Sequence, residues 1–281
     1  MPFQKVATIF KDIDRQATKE RNSNGGVESY SFRVWVVLFT ATISLLVIHY
    51  MKHRSQFDQT IRALESLFGI DGHIWSHAIR SSHFTELYGY IWWAGWHYLF
   101  FLLIPILVVK YLFKEKLSAY GWQSGELLSH KWIYISTMLF FVLFLSWFSF
   151  HNREFAHYYP FYHHAYRSWF DLITWEILYL LQFVALEFFF RGFILQGLRV
   201  PFGSMAIAVM MLPYMMLHLP KLWAEATGAI FFGIYLGVLA LRSRSIWGGV
   251  AIHASVALTL DISALLQNHG LPTIWFPSFG S

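Results

Sequence analysis

The chain has no cysteine. Disulfides, thiolate zinc sites and cysteine nucleophiles are thereby excluded, while the redox compartment stays open. Charge is scarce as well: Asp, Glu, Lys and Arg make up 13% of the 281 residues, where a soluble domain carries about 25%. So little charge cannot solvate a globular surface, which excludes a soluble cytosolic enzyme. The same composition excludes disorder, a coiled coil and a nucleic-acid module. No internal repeat and no low-complexity segment interrupts the chain. What is plentiful is apolar: 56% hydrophobic and 20% aromatic residues, with a mean hydropathy of +0.44. The formal charge of +5 resides between apolar runs, a pattern that suits anionic lipid head groups rather than DNA.

A membrane span needs about 20 apolar residues. Seven runs meet or approach that length: 34–51, 87–113, 132–150, 171–195, 203–218, 223–241 and 246–266. They are continuous, without the alternation of a β-barrel. The fold class expected is an all-α polytopic helical bundle of about seven spans. Residues 1–33 are polar, with no apolar core and no small-residue cleavage site, so they read as a cytoplasmic N-terminal segment and not a signal peptide. Residues 34–281 read as one membrane domain. Counting Lys and Arg between spans gives twelve on the N-terminal side (Lys5, Lys11, Arg15, Lys19, Arg21, Arg33, Lys114, Lys116, Lys131, Arg199, Arg242 and Arg244). The opposite side holds seven (Lys52, Arg54, Arg62, Arg80, Arg153, Arg167 and Lys221). The N-terminus is therefore expected inside and the C-terminus outside. In the first outer loop Phe57, Ile61, Leu64 and Phe68 recur at helical spacing, which predicts an amphipathic helix on the bilayer. The second, 151–170, is dense in Trp, Tyr and Phe, as an interfacial belt would be. Eight of the fourteen histidines lie in these loops, and His73 and His77 have the i,i+4 spacing of a helical metal pair; interfacial polar aromatics are the plainer reading.

The second and third spans contain no charged residue except Lys110, whereas later ones hold Glu176, Glu187, Arg191, Glu225 and Asp261. A charge at the bilayer centre costs at least about 3 kcal/mol, so such residues face the bundle interior. Glu187 and Arg191 share a helix face and can pair; the pair is equally compatible with a purely structural role. His218 and His253 stand on two further helices, each of a kind that often only bonds helix to helix. Together a carboxylate and an imidazole can activate water, and a second imidazole can donate to an oxyanion.

At Glu187-Phe-Phe-Phe-Arg191-Gly192 the sequence resembles the CAAX-protease and bacteriocin-processing family of intramembrane proteases. Tyr214-x-x-x-His218 and His253-x-x-x-Ala257 repeat the order and spacing of that family's two later motifs, and Glu115 to Tyr120-Gly121 resembles the short stretch that precedes its core. The resemblance covers about 115–266. Leu186 stands where the family has a first Glu, and Ala257 where it has an amide or similar residue. The resemblance implies an endopeptidase of the bacterial plasma membrane that acts on a membrane-associated or C-terminal-tail peptide, with or without a lipid modification. Its partners are the lipid bilayer and that substrate, with no nucleic acid. No cofactor is expected, and metal dependence stays open. Candidate catalytic residues are Glu187, Arg191, His218 and His253, with Glu225 as a substitute carboxylate after Pro220 and Asp261 as a possible orienter of His253. Rise along the helices sets Glu187 and His218 at different depths, so uniting them requires a broken or shifted fifth helix. Two other readings follow from the same residues: a catalytically silent relative acting as scaffold or immunity protein, which Leu186 and Ala257 favour, and a proton relay through Glu176, Glu187, His218 and Asp261, which symmetric repeats would favour.

Overall fold

The computed structural model describes residues 2–23, 26 and 28–277. It is about 80% helical, with no strand among the described residues. Six helices are long and apolar enough to cross a membrane. In chain order they are α2 (Ser31–Met51), α5 (Thr85–Leu112), α6 (Lys131–His151), α8 (Trp169–Phe202), α10 (Trp223–Ser243) and α11 (Trp247–Asn268). Between them lie α1 (Pro2–Ser23), α3 (Arg54–Leu67), α4 (Ile74–Ser81), α7 (Arg153–Tyr158) and α9 (Met205–Met216). The expected seventh span at 203–218 is α9, twelve apolar residues long, about 18 Å of helix against a hydrocarbon core of about 30 Å. The chain is an integral multi-pass membrane protein. Its exposed surface suits a bilayer: Phe39, Leu139, Phe140 and Leu143 are each more than half exposed on α2 and α6, apolar faces of the kind that lipid covers. In α8, by contrast, 72% of the most apolar stretch is buried, against 17% in α6.

The helices are shared between two compact units, the first taking in 1–44, 101–131 and 186–250, the second 45–100, 132–185 and 251–281. In the first, Phe101 packs on Phe189 with ring centroids 4.5 Å apart. Gly233 and Gly237, four apart on α10, admit Tyr214 and Met210 of α9 so closely that a Cβ would stand 3.1 Å from each, the close approach that small residues provide between membrane helices. The same unit ties together segments expected on one side of the bilayer. Arg199 and Glu20 form a bidentate pair at 2.8 and 2.9 Å, the Ser204 amide donates to Asp14 at 2.7 Å, and the Glu126 amide donates to the Ser243 carbonyl at 2.7 Å. The polar N-terminal segment is thus a docked helix over Pro2–Ser23.

In the second unit, Leu87, Tyr162, Leu172, Trp175, Tyr179 and Leu265 form an apolar core. The aromatic loop at 151–170, expected as a belt against the bilayer, contributes to that core: Tyr159 and Tyr162 are 3% and 0% exposed. The reason is polar. Tyr162 donates to Asp171 at 2.6 Å and Arg167 pairs with the same carboxylate at 2.7 Å, so the loop has an internal anchor and its rings fold inward. The amphipathic helix expected around Phe57–Phe68 is α3. Glu65, 1% exposed, joins it to α4 by accepting from the Ser76 amide (2.8 Å), the Ser76 hydroxyl (2.6 Å) and His73 (3.2 Å). His73 adopts a left-handed conformation before α4 and turns to Glu65, so the helical spacing with His77 is not realised.

Two expectations follow. With no native cysteine, single replacements report sidedness cleanly: Arg80→Cys should react with an impermeant maleimide added outside intact cells, and Lys116→Cys only after permeabilisation. The reverse pattern overturns the orientation. Burial pushes the Glu65 carboxyl up, but the bonds from Ser76 and His73 outweigh it and hold the group at about 2, against an ordinary 4.5. A depressed folded value stabilises the hairpin above the ordinary one and ceases to do so as pH falls through the folded one. Exchange protection of the Ser76 amide, corrected for intrinsic rate, should hold above pH 4.5 and fall toward pH 2, and Glu65→Gln should remove that dependence.

Candidate active site

Glu187 and Arg191 sit where α8 changes pitch. Phe188–Ile194 is π-helical and every one of its residues is buried; such widened turns recur at functional positions. The Arg191 guanidinium and Glu187 carboxylate are 3.0 Å apart, at 0% and 1% exposure. Removing two such charges from water costs several kcal/mol per ion, which their mutual attraction offsets only in close geometry. The guanidinium carbon also lies 4.2 Å from the centre of the Tyr214 ring, within range of a cation–π contact.

Two glycines make the space. A Cβ on Gly249, in the first turn of α11, would overlap the Glu187 carboxylate oxygen Oε2. The carboxylate therefore lies against the positive end of a helix dipole, in the turn whose amides lack helical acceptors. Gly192 meets the Tyr120 carbonyl, which would stand 2.7 Å from a Cβ, and this explains the glycine of the arginine-glycine motif. Tyr120 is itself fixed: its hydroxyl donates to Glu115 at 2.7 Å and accepts from Arg33 at 2.9 Å, while Arg33 donates to Glu115 at 2.9 Å. Burial pushes the Glu115 carboxyl up, and the bonds from Arg33 and Tyr120 more than reverse it. The acidic-to-Tyr-Gly stretch is thus a prop beneath the charged turn of α8.

His218 comes from a break in the chain. Helix α9 ends at Met216 and α10 begins at Trp223, with turn hydrogen bonds from His218 to Met215 (2.8 Å) and from Lys221 to His218 (3.0 Å) between them. The expected fifth span is thus interrupted just before His218. His218 Nδ1 is 2.9 Å from the Tyr214 carbonyl; a carbonyl only accepts, so Nδ1 carries a proton. The imidazole and the Tyr214 ring are 4.9 Å apart. Tyr214, 1% exposed, therefore touches both the Arg191 guanidinium and the His218 ring. Glu225 opens α10 and pairs with Lys221 four residues earlier.

Of the expected site residues, the first unit brings together Glu187, Arg191 and His218, with Glu225 held by Lys221. His253 belongs to the second unit, where it is 7% exposed and stacks on Phe183 at 5.4 Å. Asp261 was a possible orienter of His253; it instead accepts from the Trp175 indole at 2.7 Å, and eight residues of helix separate the two by about 12 Å. Ala257 lies in the apolar core with Trp175 and Tyr179, and Leu186 is 8% exposed. Among the described residues no three His, Asp or Glu side chains gather as a metal site would require.

Residues 167–259 match the family described as type II CAAX prenyl endopeptidase Rce1-like. This is the family to which the motifs pointed. No curated protein and no solved structure matches the chain. The Rce1-like stretch takes in Glu187, Arg191, His218, Glu225 and His253 and stops short of Asp261. Reasoning from sequence assigned no role to Tyr214 or Gly249. Tyr214 had a usable signal, since it heads the motif ending in His218; the Gly248-Gly249 pair at the start of the last helix was the signal for the second.

Gly249→Ala should displace the Glu187 carboxylate and lower stability by about 1–3 kcal/mol, as overpacking in a core does. Gly228→Ala, where a Cβ meets nothing within 4 Å, should leave stability unchanged or raise it. Thermal unfolding of the purified protein in detergent compares the two; equal behaviour would contradict the assigned packing.

Proposed function

We propose that the chain is an intramembrane endopeptidase of the bacterial plasma membrane, cleaving a peptide bond in a membrane-associated or C-terminal-tail substrate. The observation that carries this reading is the fully buried Glu187–Arg191 pair, set in a π-helical turn and linked through the Tyr214 ring to His218. An ion pair retained at such expense, beside an imidazole with an oriented proton, is a constellation for moving protons at a sequestered carbonyl. The Rce1-like match over the same residues supports it.

In this reading a water is deprotonated by a carboxylate acting with His218 Nε2, and its oxygen attacks the scissile carbonyl carbon. Arg191 is assigned to the negative charge that develops on the carbonyl oxygen. The C–N bond then breaks as the proton taken from water passes to the leaving amine, giving one new carboxylate and one new amino terminus. Glu187 is the first candidate for the carboxylate, because it is closed off from water in the charged turn, whereas Glu225 is 20% exposed beside Lys221. A substrate carbonyl that draws the Arg191 guanidinium toward it would turn the Glu187 carboxylate to the water. The silent-relative reading rests on Leu186 and on Ala257, both buried, the second in the core cluster with Trp175 and Tyr179.

With purified protein and candidate C-terminal peptides, Glu187→Gln should abolish cleavage at normal abundance, since the amide keeps size and loses basicity. Arg191→Ala should also lower abundance, because a stranded buried carboxylate costs about 3–5 kcal/mol. Glu225→Gln should reduce cleavage by no more than the loss of a surface ion pair implies, a few tenths of a kcal/mol in stability. Loss of cleavage in Glu225→Gln with retention in Glu187→Gln would transfer the base to Glu225. If the wild-type chain never cleaves and Leu186→Glu with Ala257→Asn gains activity, the chain is the silent relative.

A further inference from the structure

Within the second unit, α3 and α4 form a hairpin laid beside α5, and between the three helices is an apolar cavity of about 610 Å³. That volume lies within the range of about 300–1,000 Å³ usual for small-molecule sites. Its walls include Phe57 of α3, Ile79 of α4 and a helical stripe of Ile91, Trp92, Gly95 and Trp96 on α5. The Trp92 indole N–H is engaged by the Met51 carbonyl at 2.6 Å, and its ring packs on Phe57 at 5.6 Å, so the wall turns carbon toward the space. Gly95 leaves the floor open, since a Cβ there would meet nothing within 4 Å.

The lining residues Phe57 and Ile79 adjoin a cationic cluster: the Arg54 guanidinium carbon is 5.1 Å from the Phe57 ring, and Arg80 follows Ile79 in sequence. Arg54 is 3.0 Å and Arg80 3.8 Å from the one carboxylate of Asp58, so two guanidinium groups share a single negative charge, and the Arg80 side chain is 54% exposed. The tip of the hairpin is apolar and uncovered: Leu67 is 75% exposed, Phe68 65% and Ile74 61%. Such a tip is at rest only in hydrocarbon, which sets the hairpin at the membrane surface with its charged rim at head-group level.

We propose that this cavity holds one acyl chain of an anionic phospholipid from the surrounding bilayer, with the lipid phosphate at Arg80. The wall chemistry selects a hydrocarbon chain, and the excess of guanidinium over carboxylate selects a negative head group. The site is independent of the peptidase reading, because none of its residues belongs to the charged turn of α8, and it stands or falls separately.

Native mass spectrometry of the full chain in detergent, titrated with dioleoyl-phosphatidylglycerol or dioleoyl-phosphatidylcholine, tests it. The expected result is one saturable phosphatidylglycerol adduct, bound about fivefold more tightly than phosphatidylcholine, the preference one surface cation provides. Gly95→Phe fills the floor and should weaken both lipids about tenfold. Ile91→Trp fills the same space from one turn away and gives the same loss should Gly95→Phe fold poorly. Arg80→Gln should erase the head-group preference and leave phosphatidylcholine affinity unchanged. Wild-type affinity in both cavity-filling variants, or equal binding of the two lipids by the wild type, overturns the proposal. Displacement of the adduct by a farnesylated peptide in excess also overturns it, by assigning the cavity to a substrate's lipid group and not to the bilayer.

Discussion

The pairing of Glu187 with Arg191 constrains most of what surrounds it. Two charges held 3.0 Å apart and closed off from water persist only if neither can move away from the other, so every neighbour must be fixed. Gly249 leaves space for the carboxylate, Gly192 lets the turn rest on the Tyr120 carbonyl, and Tyr214 covers the guanidinium. The Arg33–Glu115–Tyr120 network holds the prop in place from the far side of the turn. Each of these is a neutral or internally balanced contact. None adds a net charge to the interior, which is the condition under which a buried ion pair remains tolerable.

Much of the architecture was legible in the sequence because a bilayer imposes a coarse code. Continuous apolar runs became helices, and the placement of Lys and Arg grouped segments that the folded chain then binds together, as Asp14 with Ser204 and Glu126 with Ser243 demonstrate. The code is weakest where polarity is local. The run at 203–218 has a span's composition but only twelve residues of helix, because the chain turns at Leu217–Leu222 to present His218. The aromatic loop at 151–170 has the composition of an interfacial belt, yet the Arg167–Asp171–Tyr162 anchor draws its rings into the core. In each case a few hydrogen bonds overrode an average over many residues.

The candidate site was legible in its charged members and illegible in its spaces. Glu187, Arg191, His218 and His253 announce themselves, since ionisable residues are rare inside apolar helices. Gly249 does not, because its requirement arises from a carboxylate on a different helix. Tyr214 does not either: an aromatic in an apolar helix is ordinarily packing, and only the guanidinium above it gives it another part. The departures at Leu186 and Ala257 were legible, and both positions are occupied by well-packed apolar side chains. They are integrated substitutions and not vacancies in an otherwise polar site.

The docking of α1 has a consequence for how the protein is made. Glu20 and Arg199 are 179 positions apart in the chain, so the helix that closes over the end of α8 is synthesised long before the residue it grips. At about 5–20 residues per second, the ribosome needs roughly 10–40 seconds to reach Arg199 once Glu20 has emerged. Through that interval α2, α5 and α6 enter the bilayer while α1, an amphipathic helix with Ile13 and Ala17 as its buried face, has nowhere native to bury them. The clasp between Glu20 and Arg199 can close only after the charged turn of α8 has been translated, so attachment of α1 follows synthesis of the turn whose helix it grips.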